Sequence, residues 1–275
     1  MFVIGLDVGI TSVHVVFFKK GRLAGAYTIA SNAFTAEKLV KLARCHPDVT
    51  RRVALVDSAG KSGVLQSIAK GKLREAGFKL SRQVNELDAI PAGAGVLTRE
   101  KNFILINIGT GTPFFKVQGS KSAYIKGTGM GNGFLEGFAR LNRFKDASAM
   151  LSDAQKAKSH LDLTLGEALG RGLAGLPKKA TASNFYHARP GASKQSMALS
   201  AVKLFTELMG SFGCSNAESA GFSTIVYTGG TLSSNPLLSR MVKQSVEMRG
   251  KIALIPENGA YCTAIGAVMC ARKKK

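Results

Sequence analysis

The chain has 275 residues, 45% of them hydrophobic and 20% charged, a balance typical of folded globular proteins that excludes a wholly disordered chain. Glycine accounts for 31 residues without a three-residue period, so a collagen-like helix is excluded and the glycines are expected in loops. Lysine and arginine outnumber acidic residues by 38 to 17, a net charge of +21, which favours an anionic ligand or surface.

Membrane and secretory classes are not favoured by the sequence. No apolar run approaches the ~18 residues that a membrane-spanning helix needs. The N-terminal apolar segment has no basic leader and contains Asp7, which argues against a secretion signal. The four cysteines at positions 45, 214, 262 and 270 are scattered without a C-x-x-C pair. We therefore expect a cytoplasmic protein with reduced thiols and no membrane partner.

A strand, a glycine turn and a second strand occur twice in the chain. Residues 4–9 alternate in polarity and end in Asp7-Val8-Gly9, and residues 104–112 repeat this design about one hundred positions later. Each copy is followed by a second β-prone run, at 12–18 and at 113–117. The repeat predicts a duplicated α/β core with a cleft between the halves. Two unrelated hairpins are the alternative.

The residues at these turns suit a polyphosphate. Glycines let backbone N–H groups approach an anion without a Cβ in the way, and hydroxyl groups add donors. The residues concerned are Gly9, Thr11, Ser12, Gly109, Thr110, Gly111 and Thr112. Asp7 would be repelled by phosphate directly, so we expect it to act through hydrated Mg²⁺. Neither a Walker loop nor a dinucleotide-binding glycine pattern is present.

Two further glycine clusters follow. The loop 127–133 leads into a helical pattern over 134–144, and free N–H groups at a helix start are a natural anion seat. Later, a strand over 223–226 and a turn over 227–231 precede a helix that opens at Asn235-Pro236, a plausible platform for adenine. Either cluster alone could be an ordinary tight connection. The chain ends with a strand over 251–256 and a small-residue helix over 264–271.

Loops of this order resemble the acetate and sugar kinase, heat-shock chaperone and actin superfamily, and within it the type II pantothenate kinases. The similar segments are 85–89, 107–112, 127–137, 181–185, 227–230, 249–250, 257–260 and 264–267. The resemblance implies a ribonuclease-H-like (actin-like ATPase) α/β fold with two lobes and a nucleotide cleft between them. It also implies Mg-ATP-dependent phosphorylation of the pantothenate primary hydroxyl, the first step of coenzyme A synthesis, by a cytosolic homodimer. Pantothenate or a similar small molecule is the expected substrate, with CoA or acyl-CoA as a possible further ligand.

The resemblance also assigns roles to individual residues. Glu86 falls on the catalytic base, and Thr110 lies near the transferring phosphate. The nucleotide-binding loop and the adenosine side correspond to Gly131, Asn132, Gly133, Phe134, Leu135, Glu136, Gly229 and Gly230. The chemistry of the reaction is consistent with this role, because phosphoryl transfer needs a group that removes the acceptor proton and a carboxylate at Glu86 or Asp88 could do so. Their alternative role is to cap and charge the start of the helix through 94–97.

Four positions depart from the family pattern, one of them Asn132, which stands in the middle of the glycine triplet of the third loop. The first loop of the family reads D-x-G-G-T-x-x-K, whereas Ile10 and His14 replace the second glycine and the lysine here. Imidazole is mostly neutral near pH 7, unlike lysine. Tyr124 falls where the family has a substrate-holding arginine, with Lys121 and Lys126 nearby, and a phenol differs from a guanidinium fork. We predict His14 in the cofactor site and Tyr124, Glu86 and Thr110 in the substrate site. For His14, an ordinary strand residue partly satisfied by the backbone is the favoured alternative. Another acceptor or weakened kinase activity fits the same residues.

The predicted division is an N-terminal lobe, 1–88, with the first phosphate loop, and a C-terminal lobe, 89–275, with the second loop and the adenosine site. The final helix, 260–273, could pack back on the N-terminal lobe. Basic clusters at 19–22, 70–74, 178–179 and 272–275 are expected to be solvated. Because the chain lacks Trp and aromatic-basic interleaving, nucleic acid would bind nonspecifically at most. Steering of ATP or a CoA-like anion into the cleft is a third interpretation of the charge.

Two other classes of function remain open. One is an ATPase module that switches a partner protein, as in the activators of CoA-ester dehydratases, which usually carry cysteines for an iron–sulfur cluster. The scattered cysteines argue against it, although Cys262 and Cys270 could lie on one side of the final helix. The other is a nucleotide sensor that has lost its chemistry, a role that Ile10, His14 and Tyr124 could signal.

Overall fold

The computed structural model describes residues 3–46, 52–57 and 61–272, so the basic tail 273–275 lies outside the described residues. The chain forms two compact units. The first unit is Met1–Lys101, Thr228–Gly230 and Pro256–Lys275, and the second is Asn102–Tyr227 and Thr231–Ile255. Within the described part of the chain, no helix is both long enough and apolar enough to cross a membrane.

The described strands are β1 Val3–Val8, β2 Ser12–Lys19, β3 Arg22–Ala30, β4 Arg52–Asp57, β5 Lys79–Asn85, β6 Asn102–Asn107, β7 Thr112–Gln118, β8 Lys121–Thr128, β9 Leu163–Thr164, β10 Thr181–Ser183, β11 Thr224–Thr228 and β12 Ile252–Leu254. The α-helices are α1 Ala36–Arg44, α2 Lys61–Glu75, α3 Glu86–Leu97, α4 Asn132–Leu141, α5 Ala147–Lys156, α6 Leu165–Leu169, α7 Lys194–Ala220, α8 Gly230–Ser233, α9 Pro236–Glu247 and α10 Cys262–Arg272. Short 3₁₀ helices cover Ser31–Ala33 and Gly259–Tyr261.

The sheet of the first unit has the order β3-β2-β1-β4-β5. Strands β1, β2 and β3 are antiparallel neighbours, whereas β4 runs parallel to β1 and to β5. Alternation along β1 sends Ile4, Leu6 and Val8 into a core shared with α1 and α2. The opposite face of the sheet packs on α10, because Val16 and Phe18 of β2 join the apolar side chains of that helix.

The sheet of the second unit has the order β12-β11-β6-β7-β8. Read from β8 to β12, this order corresponds to that of the first sheet, with β6, β7, β8, β11 and β12 in the places of β1, β2, β3, β4 and β5. Strands β6, β7 and β8 are antiparallel, and β11 and β12 are parallel. The predicted duplication of an α/β core is therefore confirmed. The buried side chains of the sheet pack with those of α4, α5, α7 and α9 in one apolar core. The 27-residue helix α7 is capped by the Ser193 side chain and ends at Gly221 in the left-handed conformation.

The helices α3 and α10 of the first unit approach closely through small residues. A Cβ on Gly93 would overlap the carbonyl group of Cys262, and one on Gly266 would overlap the carbonyl group of Ala89. This contact places α3 in the first unit, which extends to residue 101 rather than to the expected boundary at residue 88. The final helix packs on β1, β4 and α3 of the same unit.

Candidate functional site

The first glycine turn links β1 to β2. The Gly9 amide donates to the Ser12 carbonyl oxygen at 3.0 Å, and the Ser31 hydroxyl donates to the Gly9 carbonyl oxygen at 2.8 Å. The Ser31 amide donates to the Thr11 carbonyl oxygen. Among the described residues, the amides of Ile10 and Thr11 have no protein acceptor. The turn therefore presents two open N–H donors, and the Ile10 side chain is 50% exposed beside them.

Asp7 and His14 face each other across the hairpin that this turn closes. They are register partners of β1 and β2, and Asp7 Oδ2 lies 3.8 Å from His14 Nδ1. His14 Nε2 lies 3.4 Å from the Ser12 hydroxyl oxygen, and the imidazole meets the Tyr261 ring edge-on. Both ionisable side chains are less than one-fifth exposed. The sequence left His14 as an isolated substitution, whereas the fold joins it to three other site residues.

Residues Thr228–Gly230 at the end of β11 belong to the first unit. The Gly229 amide donates to the Gly259 carbonyl oxygen at 2.9 Å, and the φ of Gly229 is +99°, which favours glycine. A Cβ on Gly230 would lie 3.9 Å from the His14 ring. Gly230, one of the two predicted adenosine-side glycines, is thus next to His14, a neighbour that the linear sequence did not reveal.

Cys262 lies under this group with a wholly buried thiol. Its Sγ donates to the Ile90 carbonyl oxygen at 3.2 Å. The pKa of Cys262 is raised to about 12, mainly by burial; a hydrogen bond with Thr228 opposes this rise and the nearby Asp7 carboxylate contributes to it. Cys270 Sγ contacts the Asp88 carbonyl oxygen at 3.8 Å. Both thiols therefore face α3, on one side of the final helix.

The carboxyl ends of β1, β4 and β5 lie at one edge of the first sheet, because these strands are parallel. Asp7, Asp57 and Asn85-Glu86 stand at that edge. Asn85 caps α3, since its side-chain oxygen accepts from the Leu87 amide at 2.8 Å. Glu86 is half-buried in the first helical turn. It is not the cap of the alternative interpretation, but Glu86 and Asp88 are the first-turn acids that this interpretation expected. Asp57 was missed by the sequence analysis, although it follows the apolar run 53–56.

The second glycine turn links β6 to β7. The Gly109 amide donates to the Gly111 carbonyl oxygen at 3.0 Å, and the amides of Thr110 and Gly111 have no protein acceptor among the described residues. Both residues are exposed. The Thr112 hydroxyl donates inward, to the Met130 carbonyl oxygen at 2.7 Å. Like the first turn, this one presents two open N–H donors at the end of a buried strand.

The start of α4 differs from the expectation of free amides. The Asn132 amide donates to the Gly109 carbonyl oxygen at 2.8 Å, and the Gly133 amide donates to the Thr110 carbonyl oxygen at 3.2 Å. The Phe134 amide donates to the Gly131 carbonyl oxygen at 3.1 Å. These groups are already bonded within the protein because the carbonyl oxygens of the glycine turn lie within their reach. The helix start therefore holds the turn in place instead of leaving an open anion seat.

Other predicted residues of this loop have structural partners. The Phe134 ring is parallel to the Phe205 ring at 6.4 Å between centroids, so its side chain belongs to the core. Glu136 Oε2 accepts from the Ala147 amide at 3.3 Å, at the start of α5. A Cβ on Gly131 would lie 2.5 and 2.6 Å from the carbonyl oxygens of Thr110 and Gly109. Glycine is therefore required at position 131 by contacts within the fold.

Tyr124 lies on β8, the edge strand of the second sheet. Its side chain is 52% exposed and meets the Phe115 ring edge-on. Its hydroxyl oxygen would lie 2.9 Å from a Cβ on Gly127. Lys126 on the same strand places its ammonium group 5.9 Å from the Phe212 ring centroid. Tyr124 is thus accessible and close to the glycine loop of its own unit.

The fold is shared with nucleotide-binding proteins of known structure. The activator of 2-hydroxyisocaproyl-CoA dehydratase from Clostridium difficile with bound ADPNP covers 98% of this chain and 94% of its own, with a TM-score of 0.63 and 17% identity. A ROK family glucokinase from Streptomyces griseus in complex with glucose and AMPPNP covers 100% of both chains, with a TM-score of 0.57 and 16% identity. The class is therefore the duplicated α/β fold of actin-like ATPases and sugar kinases, as predicted.

The chain belongs to the Fumble family, whose sequence profile matches residues 74–270. Two relatives named type II pantothenate kinase match from end to end. The protein from Bacillus cereus (strain G9842) is 28% identical over 282 residues, which cover 98% of either chain. The protein from Bacillus anthracis is 26% identical over 284 residues, 99% of this chain and 98% of its own. The resemblance inferred from the glycine loops is confirmed.

Proposed function

We propose that this protein is an ATP-dependent kinase that phosphorylates the primary hydroxyl of pantothenate. The observation that carries the proposal is the end-to-end similarity to type II pantothenate kinases, which covers 98% of the chain. The open amides of both glycine turns support the ATP-binding part of the proposal, because unpaired N–H groups at such turns are suited to phosphate oxygens.

The glycines of the second turn support phosphate binding in a further way. A Cβ on Gly109 or Gly111 would meet no atom nearer than 3.5 Å, and neither has a positive φ. The fold itself therefore tolerates a side chain at both positions. Close approach of a ligand to the backbone explains glycine here, whereas Gly131, Asn132 and Gly133 act by holding the turn. We assign Phe134 and Glu136 to support of the same loop.

Asp7 is the residue that we propose for Mg²⁺. Among the described residues, no group of three or more His, Cys, Asp or Glu side chains could hold a metal ion alone. A single carboxylate at the end of a strand nevertheless fits Mg²⁺, which is commonly held by one or two carboxylates together with substrate phosphates and waters. When bound with ATP, Mg²⁺ neutralises charge on the phosphates. Asp7 would hold it, with Ser12 and His14 beside the carboxylate.

Glu86 is the proposed general base. In the transfer step, the acceptor hydroxyl oxygen forms a bond to the γ-phosphorus while the bond to the ADP oxygen breaks. The hydroxyl proton must leave as this occurs. Glu86 stands at the carboxyl edge of the sheet, beside the end of β4 and at the positive end of α3. The carboxylate can therefore accept the proton, while Thr110 is proposed near the transferred phosphate.

The acceptor site is proposed to include Tyr124. Its exposed phenol can donate one hydrogen bond but cannot form the two parallel bonds of a guanidinium group with a carboxylate. We expect weaker binding of the pantothenate carboxylate than an arginine would give. A homodimer, a cytoplasmic location and CoA or acyl-CoA as a further ligand complete the proposal by analogy with the family.

Replacement of Glu86 tests the proposal. Glu86→Gln should lower kcat for pantothenate phosphorylation by about 10² or more, the usual worth of a general base. Asp88→Asn is the matched control, because it removes the same charge from the same helical turn at an exposed position, and it should retain turnover. Equal activity in both variants and the wild type, or equal loss in both, would contradict the assigned role.

A nucleotide-binding ATPase or sensor that acts on another acceptor or on a partner protein is the second candidate. Ile10 favours it, because a branched side chain stands beside the open amides of the first turn. His14 also favours it, since its ring is engaged with Ser12 and Asp7 rather than extended like a lysine. ADP release that ignores pantothenate would support this candidate.

A further inference from the structure

The two ends of the first sheet differ in charge. The carboxyl ends of β1, β4 and β5 carry Asp7, Asp57 and Glu86, next to the first glycine turn. The opposite edge carries cations, because β4 begins at Arg52, β5 begins at Lys79 and the β2–β3 hairpin turns through 19–22. Arg52 and Lys79 are register partners. Since β1 spans Val3–Val8, about 17 Å separates the two edges.

The final helix adds a further cation to this edge. The Arg272 guanidinium group lies 3.3 Å from the position of a Cβ on Gly21, at the hairpin tip. We name the group the basic edge and define it by six exposed residues: Lys19, Lys20, Arg22, Arg52, Lys79 and Arg272. Among the described residues, Lys20, Arg22 and Arg272 form no ion pair.

The kinase proposal does not account for the basic edge. It lies at the end of the sheet away from the glycine turn, so it cannot serve as a phosphate ligand at that turn. Helix dipoles account for Arg272, which ends α10, but not for the five cations on strands and the hairpin. Glu75 ends α2, and Glu100 follows the end of α3 by three residues; each stands beside an arginine in the sequence. Among the described residues, the six cations of the basic edge therefore outnumber these two glutamates.

We propose that the basic edge binds the phosphate backbone of double-stranded nucleic acid without reading its sequence. From β2 to β5 the row crosses three strand spacings, about 14 Å. That length spans about eight phosphate charges of a duplex. Arginine guanidinium groups at positions 22, 52 and 272 suit phosphate oxygens.

The side chains around the basic edge favour a nucleic acid duplex over a lipid surface. Proteins that lie on membranes usually insert apolar or aromatic side chains beside their cations. Here the apolar neighbours at the hairpin are turned inward, since Phe18 is 3% exposed and packs with Leu23 against α10. Among the described residues of this edge, which exclude 1–2, 47–51 and 273–275, no exposed aromatic side chain offers a platform for unpaired bases. Contact with a duplex backbone requires neither feature.

The test is binding of the full chain to a fluorescently labelled DNA duplex of mixed sequence, about 30 base pairs long, measured by anisotropy across a salt series. The variant Lys19→Gln, Lys20→Gln, Arg22→Gln, Arg272→Gln should bind at least about tenfold more weakly. Its slope of log K against log salt should be shallower by up to about 3.6, because four phosphate contacts are removed and each contributes about 0.9. Pantothenate kinase activity should be unchanged in this variant, since none of the four residues belongs to the proposed active site.

The matched control removes the same charge elsewhere. Lys121→Gln, Lys145→Gln, Lys179→Gln, Lys243→Gln changes four exposed lysines of the second unit and should retain affinity and slope. Equal weakening in both variants would overturn the proposal, because binding would then follow net charge alone. The proposal would also be overturned if the protein bound phosphatidylserine vesicles through the basic edge and did not bind the duplex, because the surface would then be a membrane contact.

Discussion

Gly111 and Gly131 lie in neighbouring loops but are glycines for different reasons. A methyl group on Gly111 has room, its nearest neighbour being the Thr128 carbonyl oxygen at 3.5 Å, whereas one on Gly131 would collide with two carbonyl oxygens. Gly111→Ala should therefore leave the free energy of unfolding nearly unchanged and weaken ATP binding, measured by calorimetric titration. Gly131→Ala should cost about 1–3 kcal/mol of stability.

The opposite ranking in thermal unfolding would contradict this assignment. Unchanged ATP affinity in a folded Gly111→Ala variant would also show that no ligand approaches the second turn. The pair separates a residue required by the fold from one required by the ligand, which activity alone cannot do.

Cys262 makes stability depend on pH. Its folded pKa is raised from 9.0 to about 12 by burial, so the thiol is protonated in both states below pH 9. Above pH 9 the unfolded chain releases this proton and the folded chain does not. The free energy of unfolding should therefore fall by up to about 1.4 kcal/mol per pH unit from pH 9 towards 12. Urea unfolding across this range measures the slope.

Burial also raises the pKa values of Cys214 and Tyr227, so part of the slope belongs to them. Cys262→Ala is the control that isolates the contribution of Cys262, since this variant should show a shallower slope whatever its absolute stability. An unchanged slope would mean that the thiol ionises in the folded protein. Thiol labelling offers a second readout, because exposed Cys45 should react in the native state and Cys262 only on unfolding.

At the scale of elements, the contact between α3 and α10 joins the last helix to the first unit. Gly93 faces Cys262 across this contact. Gly95 lies two residues further along α3, and a Cβ on it would meet no atom within 4 Å. Gly93→Ala should lower the melting temperature because the helices must move apart, at a cost of about 1–3 kcal/mol. Gly95→Ala should raise stability slightly, by about 0.5–1 kcal/mol, through helix propensity.

Differential scanning calorimetry of the two variants decides the point. Equal melting temperatures for Gly93→Ala and the wild type would show that α3 and α10 do not pack as described. A loss in Gly95→Ala as large as in Gly93→Ala would show that the effect is general to this helix rather than specific to the contact.

Much of the element pattern could be predicted because it depends on local periodicity. The strands on both sides of Gly9 and of Gly109 are short apolar, β-branched runs interrupted by a glycine turn. The helix opening at Asn235-Pro236 carries its own cap and first-turn proline. Nonlocal hydrogen bonds could not be predicted in this way. The bonds from Asn132 and Gly133 to the second turn depend on how β6, β7 and α4 meet, and no pattern within residues 127–137 encodes that meeting.

The same reasoning applies to the candidate site. Glycine together with Asp7 or Asn107 at the strand ends predicted both turns, because glycine, aspartate and asparagine are depleted within strands. The partnership of His14 with Asp7 follows from the hairpin register, and its proximity to Gly230 joins positions more than 200 residues apart. Asp57 was missed because a single acidic residue after a strand is common and gains meaning only when parallel neighbours end beside it.

At the scale of the whole molecule, the duplicated sheet order and the end-to-end similarity to type II pantothenate kinases support one central claim, that the chain transfers a phosphoryl group from ATP to pantothenate. Each unit contains a glycine turn with open amides, and Asp7 and Glu86 belong to the first unit. The departures at Ile10 and His14 lie at the first glycine turn and its hairpin, whereas Tyr124 lies on β8 of the second unit.

The most direct measurement is acceptor-dependent turnover of the purified full chain with Mg-ATP. ADP release and phosphorylated product would be followed together by mass spectrometry, with and without pantothenate. The account predicts that pantothenate stimulates ADP release, that one phosphopantothenate forms for each ADP, and that Glu86→Gln abolishes both. ADP released at the same rate without pantothenate, or ATP bound tightly with no product from pantothenate, would contradict it.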